Sequence, residues 1–160
     1  MDLTKHWAAT LDDYAIDLAW SPDGSLLAAA SAAGPISVLA AADGTRAHPL
    51  PGHPDGANCL AWRPGESRLL ASGGQDGAVR FWDAPAGQHT ATATLGDAWV
   101  EHISWAAGAA GTPLLFAAAG RVLHALRPDA TVAHTFRPAP RTLCALASHP
   151  RGGAVAAAHF

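Results

Sequence analysis

Three residue types that together perform acyl transfer, His53, Ser72 and Asp76, fall in one short stretch of the chain. That chemistry needs the serine oxygen against the imidazole, the carboxylate on the far ring nitrogen, and an oxyanion hole. Ser72 lacks the Gly-x-Ser-x-Gly setting that holds a nucleophile on a sharp strand-to-helix turn. Nine histidines, His6, His48, His53, His89, His102, His124, His134, His149 and His159, raise the question of a metal. They show no H-x-H, H-E-x-x-H or C-x-x-C spacing, so no metal site is expected. Gly73-Gly74 opens a hairpin and not a helix, and G-x-x-x-x-G-K-[ST] is absent from the chain, so a phosphate cradle is not expected either. Cys59 and Cys144 each stand in an apolar strand pattern, where a buried, reduced thiol is the ordinary expectation.

The elements that would position these groups read as strands. Residues 57–62 are an apolar run before the turn Arg63-Pro64-Gly65-Glu66, and residues 68–73 and 78–83 flank Gln75-Asp76-Gly77. Asp-Gly between β-prone runs predicts a tight hairpin, because such turns need φ > 0 and glycine supplies it without strain. The pattern recurs. Trp20, Trp62, Trp105 and Ser148 follow one another at steps of 42, 43 and 43 residues, each two places after an apolar residue: Leu18, Leu60, Ile103 and Leu146. Period-2 alternation puts both positions on one sheet face. A step of this size suits a four-stranded propeller blade and is longer than the ankyrin or tetratricopeptide repeat.

The spacing divides the chain into a leading strand at 1–11, a first unit at 12–53, a second at 54–97, a third at 98–139 and an incomplete fourth at 140–160. Within the first unit, strands are expected near 15–20, 25–30, 35–40 and 45–50, with Ser21-Pro22-Asp23-Gly24 as a type I turn. The third unit has a longer, Gly/Ala-rich turn at 106–112, and the fourth has two strands around His149-Pro150-Arg151-Gly152.

A Gly-His start, a proline turn, an Asp-Gly turn and a closing Trp82-Asp83 resemble one unit of the WD-repeat family, one blade of a β-propeller. The resemblance implies an all-β fold, a partial β-propeller of four-stranded antiparallel blades, with about three full blades plus half of a fourth. It implies that His53, Ser72, Asp76 and Trp82 form a buried hydrogen-bonded network that is structural and not catalytic, since those four match the family's positions one for one. The first unit departs from this pattern with Ala29, Ala33 and Leu39 at the Ser, Asp and Trp places, and the third has Ala117 at the Ser place. In this family the leading strand clasps the ring as the outermost strand of the last blade. Partners dock on the loops entering the inner strands and joining second to third strands, here Tyr14, Asp55, Asn58, Gln75, Trp99, Glu101 and Arg141. Tyr, Trp and Arg are enriched at interface hot spots, which singles out Tyr14, Trp99 and Arg141.

Composition narrows the remaining classes. The 160 residues are 49% hydrophobic and 14% charged with a net charge of -3, enough for one core and without the basic footprint of a nucleic-acid binder or an anionic-membrane binder. The first residues lack the apolar core of a signal peptide, and no run approaches the length of a membrane helix, so a cytoplasmic location is expected. The reading is a non-catalytic scaffold for protein partners, without cofactor, forming the N-terminal half of a longer propeller. A ring closed by a second chain is the alternative for closure. An enzyme or metal-binding propeller whose site is completed by missing blades or a second chain is the alternative for function.

Overall fold

Short runs of Ala, Leu, Ile and Val, punctuated by Gly and Pro turns, leave little for a helix to use, and the regular elements among the described residues are all strands. The computed structural model describes residues 5–107, 111–150 and 152–160. Blade one is β1 (Ala15–Trp20), β2 (Leu26–Ser31), β3 (Ile36–Ala40) and β4 (Arg46–Leu50). Blade two is β5 (Ala57–Trp62), β6 (Leu69–Gly74), β7 (Ala78–Asp83) and β8 (Gln88–Thr94). Blade three is β9 (Val100–Ala107), β10 (Pro113–Ala119), β11 (Val122–Leu126) and β12 (Val132–Thr135), and β13 (Leu143–Ser148) with β14 (Val155–His159) form the fourth, two-stranded sheet. Strands pair in sequence order, all antiparallel, giving the expected all-β, propeller-type architecture of three complete blades and a half. The long turn at 106–112 and the turn at 149–152 fall in part on residues 108–110 and 151, outside the described residues.

Register repeats from blade to blade. Leu18 faces Ala29, Leu60 faces Ser72 and Ile103 faces Ala117, so the column read from the sequence is one column in space. Each inner strand also slips by one residue near its start, at Ile16, Asn58, Glu101 and Cys144. A bulge repeated at one register position turns the local twist the same way in every blade.

Between neighbouring blades lie the two cores. Ala28, Ala30, Ile36 and Val38 of blade one meet Leu60, Trp62, Leu70 and Trp82 of blade two. Ala71, Val79 and Phe81 of blade two meet Trp105, Leu115 and Leu126 of blade three, with Phe81 edge-on to Trp105 at 6.2 Å. Small residues on one face admit large ones from the next, which is how interiors reach close packing without strain.

Two expectations are corrected. The leading segment is not a strand: residues 5–11 form no ladder. A strand needs a neighbouring strand to take its N–H and C=O groups, and none lies beside this one. The segment instead lies along the outer part of blade one, where the Trp7 indole N–H donates to the Ala41 carbonyl at 2.8 Å and His6 Nε2 donates to the Ala42 carbonyl at 2.7 Å. Its placement still follows the repeat. A Cβ added to Gly44 would come within 2.7 Å of the Trp7 ring, just as one on Gly87 would come within 2.8 Å of His48 on β4. Residues 5–11 therefore stand to blade one as β4 stands to blade two. Cys144, expected to be buried like Cys59, is partly exposed: it takes the bulge position of β13, whose counterpart Asn58 in blade two is likewise only partly buried.

Candidate functional site

Blade two gathers the polar residues on one face. Antiparallel pairing sets Ser72 on β6 opposite Arg80 on β7, and Trp82 follows two residues on, so all three side chains share a face. Asp76 comes from the tight β6–β7 turn and His53 from the connection between β4 and β5. Gly74 makes the approach possible, since a Cβ there would lie 2.3 Å from the His53 ring.

His53 is the hub. Its Nδ1 lies 2.8 Å from Asp76 Oδ1, and its Nε2 lies 2.8 Å from Ser72 Oγ, which also accepts the Trp82 indole N–H at 2.8 Å. Arg80 Nη1 donates to Asp76 Oδ2 at 2.6 Å and touches His53 Nδ1. Ser72 and His53 are closed off, at 0% and 1% exposure. Burial holds the imidazole pKa below its ordinary value, a tendency that the Asp76 contact only partly offsets. Burial also pushes Asp76 up, but hydrogen bonds from Arg80 and His53 outweigh it and leave the carboxyl below its usual range. The result is a neutral imidazole, an ionised carboxylate paired with Arg80, and a hydroxyl whose proton goes to Nε2.

The order Ser–His–Asp is that of an acyl-transfer triad, but its serine is shut off from solvent. Ser72 Oγ points into the junction with blade one and is occupied by the Trp82 N–H. What this arrangement does is tie four elements together: a turn, two strands and a connection. Every member has its partners, and a fully satisfied buried polar network rigidifies its surroundings.

Arg80 is the member that the motif reading missed. Its signal was available as a lone cation among Ala78, Val79, Phe81 and Trp82 of the third strand, but its role follows only once register puts it opposite Ser72. Blades one and three have Ala29 and Leu39, and Ala117 and Leu126, at the Ser72 and Trp82 places, and all four are buried. Among the described residues no group of three or more His, Cys, Asp or Glu side chains is placed to hold a metal ion.

The seven candidate contact residues differ in exposure. Tyr14 and Trp99 occupy the same place in blades one and three, just ahead of the inner strand, and are 80% and 52% exposed. Their carbonyls take the same bond, from Ala32 N in blade one and Gly120 N in blade three. Asp55, Glu101 and Arg141 are exposed as well. Asn58 and Gln75 are turned partly inward: Asn58 Nδ2 donates to the Val100 carbonyl at 3.3 Å, and the Gln75 amide lies close over Gly56.

Four-stranded sheets with a shared bulge, a shared indole column and small-against-large junctions define a β-propeller segment. The profile of the WD domain, G-beta repeat, matches residues 4–34 and 38–83, from the leading segment to the end of β7 apart from residues 35–37. Over those residues the chain matches WD repeats. Blade three and the half blade keep the fold beyond the matched residues.

Relatives agree over short stretches. The transcription factor unc-37 of Caenorhabditis elegans is 44% identical over 66 residues, 41% of this chain and 11% of that protein. The WD repeat-containing protein ATCSA-1 of Arabidopsis thaliana is 37% identical over 59 residues, 37% of this chain and 13% of that protein. The chain thus matches only a small part of the length of these relatives. Among solved structures, the computationally designed Ika4 protein superposes with a TM-score of 0.80 at 14% identity over 99% of both chains. The computationally designed Ika8 protein gives 0.73 at 15% identity, over 91% of this chain and 46% of that one. At such identities the likeness concerns the fold alone.

Proposed function

We propose that this chain is a non-catalytic scaffold that holds protein partners on the rim where the loops enter the inner strands. WD repeats belong to a family of interaction scaffolds, and one observation carries the finer reading. Two large aromatics, Tyr14 and Trp99, stand exposed at equivalent places on rigid blades, where packing alone would have turned them inward. Arg141, exposed ahead of β13, extends the same rim to the fourth sheet. The chain acts in the cytoplasm as part of a propeller ring.

The rim is tested by substitution. Tyr14→Ala, Trp99→Ala and Arg141→Ala each weaken binding of a captured partner by about tenfold or more, measured by titration, while the melting temperature stays within a degree or two. Binding indifferent to all three places the partner elsewhere.

The enzyme alternative has a specific source in the His53 triad geometry and a direct test. A fluorophosphonate probe leaves Ser72 unlabelled in the folded protein, and stoichiometric labelling would replace the scaffold reading with a hydrolase.

A further inference from the structure

Each junction between complete blades repeats one bond. The Trp62 indole N–H donates to the Ala19 carbonyl at 2.9 Å, and the Trp105 indole N–H donates to the Ala61 carbonyl at 3.2 Å. In both cases the acceptor is the residue just before the indole column in the preceding blade. Ser104 and Ser148 join blades three and four at the same level, Oγ to Oγ at 2.7 Å.

Trp20 holds this column in blade one, and among the described residues no blade packs against that face. It is 56% exposed and Leu18 is 59% exposed, whereas Trp62, the counterpart of Trp20 in blade two, is 7% exposed. Beside them runs a groove of about 420 Å³, floored by Leu18, Leu27, Ala29 and Leu39 and bordered by Trp7 and Leu11. On the other side of the molecule, β13 leaves Ala145 and Ala147 uncovered, and Ala147 directly precedes Ser148, which stands in the indole column. The Ala147 carbonyl is thus the acceptor that an indole of a following blade would use. The chain displays, on two opposite sides, the donor half and the acceptor half of a junction it already makes internally.

We propose that the 160-residue chain on its own associates head to tail with a second copy, blade four of one seated on blade one of the other. Trp20 of one copy donates its indole N–H to the Ala147 carbonyl of the next, and Leu18 and Trp20 cover Ala145 and Ala147. The alanines give the room that Ala28 and Ala30 of blade one give to Leu60 and Trp62. Different surfaces meet in such a contact, so it ends in a closed ring when the rotation closes and in a filament when it does not. Nothing in this contact involves the rim, so its failure leaves the scaffold reading standing.

The experiment uses the whole chain, with mass measured by sedimentation and light scattering from low to high micromolar concentration. Unmodified protein is expected at two or more times the chain mass. Leu18→Glu and Ala145→Glu, one on each face, are each expected to weaken association by about tenfold or more with an unchanged circular dichroism spectrum. Geometry is read separately in a Cys144→Ala background. Trp20→Cys chains mixed with Ala147→Cys chains form a disulfide between copies, and neither variant forms one alone. A monomer at every concentration, an oligomer unmoved by both glutamates, or a disulfide formed by Trp20→Cys alone would each overturn the head-to-tail contact.

Discussion

At the residue scale, the polar cluster of blade two stands or falls as a set. Ser72→Ala leaves the His53 Nε2 and the Trp82 N–H without a partner in a place water does not reach. The expected cost is about 2–4 kcal/mol, read from urea unfolding, and a loss below about 0.5 kcal/mol would deny the network its structural role. Protonation gives a second handle. The unfolded imidazole binds a proton near pH 6.5, while folded His53 resists it, so between its lowered folded pKa and that value the unfolded chain binds more protons. Stability therefore falls as pH drops below about 6.5, by at most about 1.4 kcal/mol per pH unit for this group. Buried His124 acts in the same direction, and the lowered Asp76 carboxyl adds a further loss at more acid pH. Urea midpoints at neutral pH and near pH 5 test the sign, and a midpoint that rises on acidification would contradict it. The parts of His53, Ser72, Asp76 and Trp82 in this network were implied by the resemblance to a WD repeat. That of Arg80 was not, since a strand neighbour is defined by register across a hairpin and not by distance along the chain.

At the element scale the same residue does different work in different blades. Trp62 and Trp20 share one position in the repeat, but only Trp62 has a preceding blade to donate to. Trp62→Phe is expected to cost about 1–2 kcal/mol, because the Ala19 carbonyl loses its donor in a tight junction. Trp20→Phe should change stability by no more than about 0.5 kcal/mol when measured too dilute for association. Equal effects at the two sites, in parallel melts, would mean that the indole bond is not what joins the blades. Strand positions were legible to within a residue or two, because turns such as Ser21-Pro22-Asp23-Gly24 and Gln75-Asp76-Gly77 punctuate them. In the first, Asp23 takes hydrogen bonds from Ser25 N and from the Ser21 and Ser25 hydroxyls, a local device visible in the residue types themselves. The leading segment was not legible, for a physical reason: apolar alternation announces a face to bury and is silent on whether a ladder partner exists.

At the scale of the whole molecule, a stack of blades buries both faces only of its inner members. Blade two is covered on both sides, whereas blade one relies on residues 5–11 to shield Leu27 and Leu39. Removing residues 1–11 is expected to lower stability by about 1–3 kcal/mol through the lost burial of Trp7 and Leu11. Binding of a hydrophobic dye should rise in parallel. A truncated chain as stable as the full one would mean that the segment merely rests on the blade.

The amino-acid sequence by itself determined the beat of the repeat, the strands and the turns. Each of these rests on forces that act between near neighbours or within one sheet: side-chain alternation, turn geometry and hairpin register. Only the tertiary structure decided which copies of a repeated position are buried. Leu18 and Leu60, or Trp20 and Trp62, are the same residue in the same register, and their burial differs only through the presence of another blade alongside.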